Sequence, residues 1–155
     1  MGDWRLGLPV ASTPQPGQAG DSRRRRAELT NRETLEAVFP AMFAQDRAAL
    51  AALIHEDVTW HLPPFAKAQP RRGRERAVEF LCTAGDAFYQ PGTLAMEPEL
   101  TAVEGDAAIL LGWMTATTRD GKPYSNRYAF GIRFQDGLII EAWELLDSKH
   151  LFEQL

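Results

Sequence analysis

The 155-residue chain has a single cysteine, Cys82, so it can form no internal disulfide and no thiolate cluster for a metal. That cysteine falls in the apolar segment Ala77-Val78-Glu79-Phe80-Leu81-Cys82, where a packing role is expected. Histidine is scarce as well. His55, His61 and His150 show no ligand spacing, so no metal is expected, and the sequence calls for no cofactor. No apolar run approaches the roughly twenty residues that cross a bilayer, which argues against a membrane partner. The N-terminus lacks the basic-then-apolar order of a secretory signal, because Arg23, Arg24, Arg25 and Arg26 follow a Pro/Gly/Gln stretch and precede no hydrophobic segment. A cytoplasmic location is the expectation.

What is present suits one domain. At 45% hydrophobic and 25% charged residues, the chain can build a core large enough to enclose a small-molecule pocket. Residues 1–28 are rich in Pro, Gly, Gln, Ser and Arg without periodicity and read as a disordered N-terminal extension, leaving a domain over residues 29–155. The formal net charge of −4, with five arginines in the extension, makes the domain more acidic than the total. The four consecutive arginines therefore read as a solvated arm, and nucleic acid is not an expected partner.

Thr30 followed by Glu33 has the form of a capping box, and Leu35, Val38, Phe39, Met42 and Phe43 then recur at helical spacing, with Pro40 expected to loosen the helix. A second helix is expected over residues 47–55, a strand over 58–62 stopped by Pro63-Pro64, and a third helix over 74–87. Four strands follow, over residues 93–103, 107–118, 123–134 and 138–147, separated by turns at Gly105, Gly121 and Gly137. Helices first and a strand meander afterwards imply the α+β class, with a curved sheet wrapped around helices.

In the last strand, alternation places Ile140, Ala142, Glu144 and Leu146 on one face. A carboxylate among aliphatics costs several kcal/mol unless it is paired, and desolvation raises its pKa towards the range of acid/base catalysis near neutral pH. Glu144 is the candidate catalytic residue, and a structural ion pair with an arginine is the alternative.

Three segments together resemble the nuclear transport factor 2-like superfamily, which includes ketosteroid isomerase, scytalone dehydratase, limonene epoxide hydrolase and the SnoaL-like polyketide cyclases. They are Asp57-Val58-Thr59-Trp60-His61-Leu62-Pro63, Gly73-Arg74-Glu75 opening a helix, and the run from Tyr128 through Asp136-Gly137 to Asp147. The resemblance covers residues 30–155 and implies a cone-shaped curved antiparallel sheet wrapped around three N-terminal helices, a cystatin-like α+β barrel. In the SnoaL-like cyclases the last strand often reads His-Trp-Asp-x-x-Asp with a catalytic first Asp. Here Ala142-Trp143-Glu144-Leu145-Leu146-Asp147 puts Glu144 at that position. The isomerase base is replaced by Leu62, and the hydrolase Arg/Asp pair by Leu111 and Trp113.

The resemblance points the faces bearing Trp60 and Leu62, Leu111 and Trp113, and Tyr128 and Phe130 into the cone, lining a pocket for a small, flat, hydrophobic ligand. It also implies a homodimer through the opposite face, which carries Glu141 and Trp143. His61 lies on the face opposite Trp60 and reads as a structural histidine. Two functions follow. The first is an isomerase, cyclase or dehydratase acting on a hydrophobic carbonyl or polyketide-like compound, with Glu144 as general base and a donor such as the Tyr128 hydroxyl steadying the enolate. The second is a non-catalytic ligand-binding or assembly module of the same fold.

Overall fold

Apolar residues at helical spacing bury one side of α1 (Pro16–Phe43), through Leu35, Val38 and Phe39, against the concave face of a sheet. The structure is a computed structural model that describes residues 16–155. After α1 come α2 (Arg47–Leu53), β1 (Ile54–His61), a 3₁₀ turn (Pro64–Ala66), β2 (Arg71–Arg72) and α3 (Arg74–Thr83). The long strands β3 (Ala95–Glu104), β4 (Ala107–Thr117), β5 (Pro123–Gln135) and β6 (Leu138–Leu146) follow, and α4 (Ser148–Gln154) ends the chain.

The six strands form one curved sheet in the order β2-β1-β6-β5-β4-β3. All neighbours are antiparallel except β1 and β6, so the sheet is mixed, and it remains an open cone rather than a closed barrel. The α+β class and the cone around three N-terminal helices are as the sequence implies. Phe39 of α1 meets Phe130 of β5 edge-on at 4.9 Å, while Leu50 of α2 and Ala77, Val78 and Leu81 of α3 complete the core.

The first helix begins at Pro16, not at Thr30, which corrects the expected boundary of the extension for residues 16–28. Residues 1–15 of that extension lie outside the described residues. The middle part of the helix is held by contacts to the hairpin tips. Glu28 Oε1 accepts from the Gly105 amide at 3.0 Å, Asn31 donates to the Gly105 carbonyl at 2.9 Å, and Thr34 donates to the Gly137 carbonyl at 2.7 Å. Arg24, in the four-arginine run, pairs with Glu28 at 3.1 Å and Glu104 at 3.4 Å. Pro40 lies in the last turn, and although it cannot donate to the carbonyl four residues back, the helix continues past it to Phe43.

A bulge in β6 alters the expected face. Phe134 pairs with Ile139 and Arg133 with Glu141, so Ile140 is the extra residue. The inward face is therefore Ile139, Ala142, Glu144 and Leu146, with Ile139 and Ala142 fully buried and Ile140 displaced from it. No helix among the described residues is long and apolar enough to cross a membrane.

Candidate functional site

The helices fill only part of the cone. The remainder is a cavity of about 480 Å³ between β1, β5, β6, α3 and α4. Trp60, Phe130, Met114 and Leu146 supply its apolar walls, and Glu144 and Tyr128 stand among them. β5 and β6 bring these groups together because directly paired residues share a face: Phe130 is opposite Glu144, and Tyr128 is opposite Leu146.

Glu144 is half-buried and forms no ion pair among the described residues, so the alternative of a structural salt bridge is not what the geometry provides. Burial raises its pKa from 4.5 to about 7, with the nearby Trp60 indole N–H acting in the opposite direction. That indole nitrogen is itself buried without a hydrogen-bond partner of ordinary geometry, so its influence on the carboxylate is a close approach rather than a formed bond. An unspent donor beside a carboxyl that titrates near neutrality is an arrangement able to hold a polar ligand atom.

Tyr128 is buried, and its hydroxyl lies 3.1 Å from the Tyr124 hydroxyl. The Tyr89 ring packs 4.8 Å from that of Tyr124, closing a cluster of three phenols. Desolvation first, and the neighbouring phenols and Glu144 after it, push the Tyr89 and Tyr128 pKa values far up, so both remain protonated donors.

The mouth is built by the segment after β1 and by α4. Asp147 caps α4 by accepting from the His150 amide at 3.0 Å, as its place after the apolar run suggests. Gln154 ties the helix to Ser125 through both backbone atoms, at 3.0 and 2.8 Å. α4 thereby carries Phe152 to 5.4 Å from Phe65, edge to face, across the cavity entrance.

Of the residues singled out from the sequence, Trp60, Leu62, Tyr128, Phe130 and Glu144 line this cavity. Leu111 and Trp113 do not. The β4–β5 register pairs Leu110 with Phe130 and Gly112 with Tyr128, which turns Leu110, Gly112 and Met114 inward and Leu111 and Trp113 outward. Gly112 fits because a Cβ there would come within 2.5 Å of the Glu97 carbonyl on bulged β3. Trp113 instead lies on the convex face, 37% exposed, with the Arg127 guanidinium 5.9 Å from its ring.

His61 also occupies the convex side, stacked on Trp143 at 5.2 Å and 2° and bonded to Glu141 at 2.9 Å. Sequence reasoning missed Met114, Tyr89, Phe65, Phe152 and Arg71 as lining residues. β4 is apolar on both faces, so its alternation does not say which side is inside, and Tyr89 and Arg71 lie outside any periodic run. Among the described residues no group of three or more His, Cys, Asp and Glu side chains is placed to hold a metal ion.

Residues 35–142 match the family model described as the SnoaL-like domain. The chain belongs to the SnoaL-like domain family. Its fold recurs in an NTF2-like protein of unknown function from Burkholderia pseudomallei, with a TM-score of 0.70 at 17% identity over 81% of this chain and 96% of the other. It recurs in a proposed SnoaL-like polyketide cyclase from Jannaschia, with a TM-score of 0.71 at 19% identity over 93% and 96%. TerC, co-crystallised with polyporic acid, gives a TM-score of 0.70 at 19% identity over 81% and 97%. No curated relative matches this SnoaL-like chain.

Proposed function

We propose that this SnoaL-like domain is a cofactor-independent proton-transfer enzyme, an isomerase, cyclase or dehydratase acting on a hydrophobic carbonyl or polyketide-like compound. The observation that carries this reading is Glu144, whose pKa is raised to about 7 at the wall of an apolar cavity. A carboxyl group poised there is available in both protonation states at neutral pH, which general acid/base work requires. The neighbour proposed to be a polyketide cyclase and the neighbour crystallised with polyporic acid agree with a small organic substrate in this fold.

In the proposed step, the Glu144 carboxylate takes a proton from the carbon α to the carbonyl, and the C–H electron pair moves into an enolate. The Tyr128 hydroxyl, kept protonated by its burial, donates a hydrogen bond to the enolate oxygen. Glu144 then returns the proton at another carbon, which is isomerisation, or the enolate carbon attacks a second carbonyl and the new alkoxide takes the proton, which is cyclisation. Loss of water from that alcohol completes a dehydration. Trp60 and Phe130 hold a flat ligand against these groups.

The convex face supports a homodimer. Ile109, Trp113 and Leu145 are exposed there, at 51%, 37% and 52%, and a second copy would cover them.

The enzymatic reading is tested without knowing the natural substrate. In deuterated buffer, the protein should catalyse exchange of the α-protons of a methyl naphthyl ketone, and Glu144→Gln should abolish that exchange. Wild-type exchange no faster than buffer would leave a binding module in place of an enzyme, and catalysed exchange undiminished in the Gln variant would remove Glu144 from the chemistry.

A further inference from the structure

Two charged side chains line the cavity, Glu144 and Arg71. Arg71 enters from β2, where it stands opposite Trp60 in the β1–β2 ladder, so both side chains come from one face of the sheet. Its guanidinium carbon lies 5.3 Å from the centre of the Phe80 ring, and both residues are half-buried. Three other arginines of the domain are held in ion pairs. Arg47 pairs with Glu79, Arg127 with Glu99 and Arg133 with Glu141. The Arg71 guanidinium makes no ion pair or hydrogen bond among the described residues. It does not pair with Glu144 either, and no cation contributes to the proton affinity of that carboxyl.

A guanidinium fixed over an aromatic ring, at the wall of an apolar cavity and without a protein acceptor, is an anion site in search of its anion. Its planar fork suits the two oxygens of a carboxylate. We propose that Arg71 binds an anionic oxygen group of the ligand, so that the cavity takes an aryl or polyenyl carbonyl compound carrying a carboxylate or acidic hydroxyl. The placement of the carbonyl portion at Glu144 rests on the proton-transfer reading above, whereas the anion site rests on Arg71 itself. If Arg71 served only to cover Phe80, a methionine of similar length would replace it without consequence for charged ligands.

The test compares two probes, naphthoate and methyl naphthyl ketone, by quenching of tryptophan fluorescence in the full-length protein. It is run in the wild type and in Glu144→Gln, where titration of the carboxyl no longer enters. Both proteins should bind naphthoate about tenfold tighter than the ketone. Arg71→Met should erase that preference while changing ketone affinity by less than about twofold, and Arg71→Lys should restore part of it. Equal binding of acid and ketone by both proteins, binding of neither, or equal weakening of both by Arg71→Met would overturn the proposal. The proton-transfer reading fails separately, through exchange activity that survives in Glu144→Gln.

Discussion

Phe130 and Glu144 face each other across the β5–β6 ladder, so the carboxyl meets an aromatic ring where a buried charge would need a partner. The raised pKa of Glu144 follows from that placement, and so does a pH dependence of stability. Folding tightens proton binding at Glu144, so the stabilisation is fully present below the ordinary value of 4.5 and is lost as pH rises through about 7. Glu144→Gln deletes this titration. The variant should match or exceed wild-type stability at neutral pH, by up to a few kcal/mol, with the gap narrowing as pH falls through that window. Thermal unfolding across pH measures it, and a Gln variant strongly destabilised at neutral pH would mean the carboxylate is held by a partner.

Tyr128→Phe removes the proposed donor to the enolate while preserving the ring that stacks 6.0 Å from Phe130. Loss of such a donor lowers kcat by about a hundredfold or more, with a smaller change in KM. The stability cost should be about 1 kcal/mol, for one lost hydroxyl–hydroxyl bond with Tyr124. Steady-state kinetics of α-proton exchange separate the two effects, and a change confined to KM would remove Tyr128 from the chemistry.

The two tryptophans at positions 60 and 113 should behave oppositely. Trp60 is 1% exposed and lines the cavity, so Trp60→Phe should weaken binding of a planar probe and remove most of its fluorescence quenching. Trp113→Phe should leave affinity unchanged, because its ring faces out beside Arg127. Probe titrations of both variants check this; equal losses would place Trp113 inside.

Asp147 acts on the cavity at a distance, by starting the helix that brings Phe152 over the entrance. Asp147→Ala should cost about 1 kcal/mol as a lost helix cap and should speed dissociation of a bound probe more than it slows association. Stopped-flow fluorescence reads both rates.

The convex face gives a prediction of its own. Leu145→Glu places a charge in the exposed apolar patch and should shift a dimer to monomer in sedimentation equilibrium. A wild-type protein that is monomeric at high concentration would contradict the dimer.

Much of this arrangement was legible in the residues. Alternation in β5 fixes Tyr128, Phe130 and Ile132 on one side, because Arg127 and Arg133 mark the other, and alternation in β6 sets Glu144 among aliphatics on the face that lines the cavity. Parity in β4 was not legible, since Ile109, Leu111 and Trp113 are as apolar as Leu110 and Met114, and only pairing with β5 decides which row is inside. The bulge at Ile140 escaped for a similar reason, because two adjacent isoleucines do not show which one faces the core. Helix α1 begins at Pro16, ahead of the local capping signal at Thr30, and the contacts of Glu28 and Arg24 with the β3–β4 turn, distant in sequence, hold the part just before Thr30.

The proposed chemistry requires Glu144 to exchange its proton near neutral pH inside the cavity. Its side-chain carboxyl carbon, labelled with carbon-13 and assigned by loss of the signal in Glu144→Gln, can be titrated by NMR. The midpoint should fall at about 7 and move when a planar ketone fills the cavity. A midpoint at the ordinary 4.5, unmoved by ligand, would contradict it.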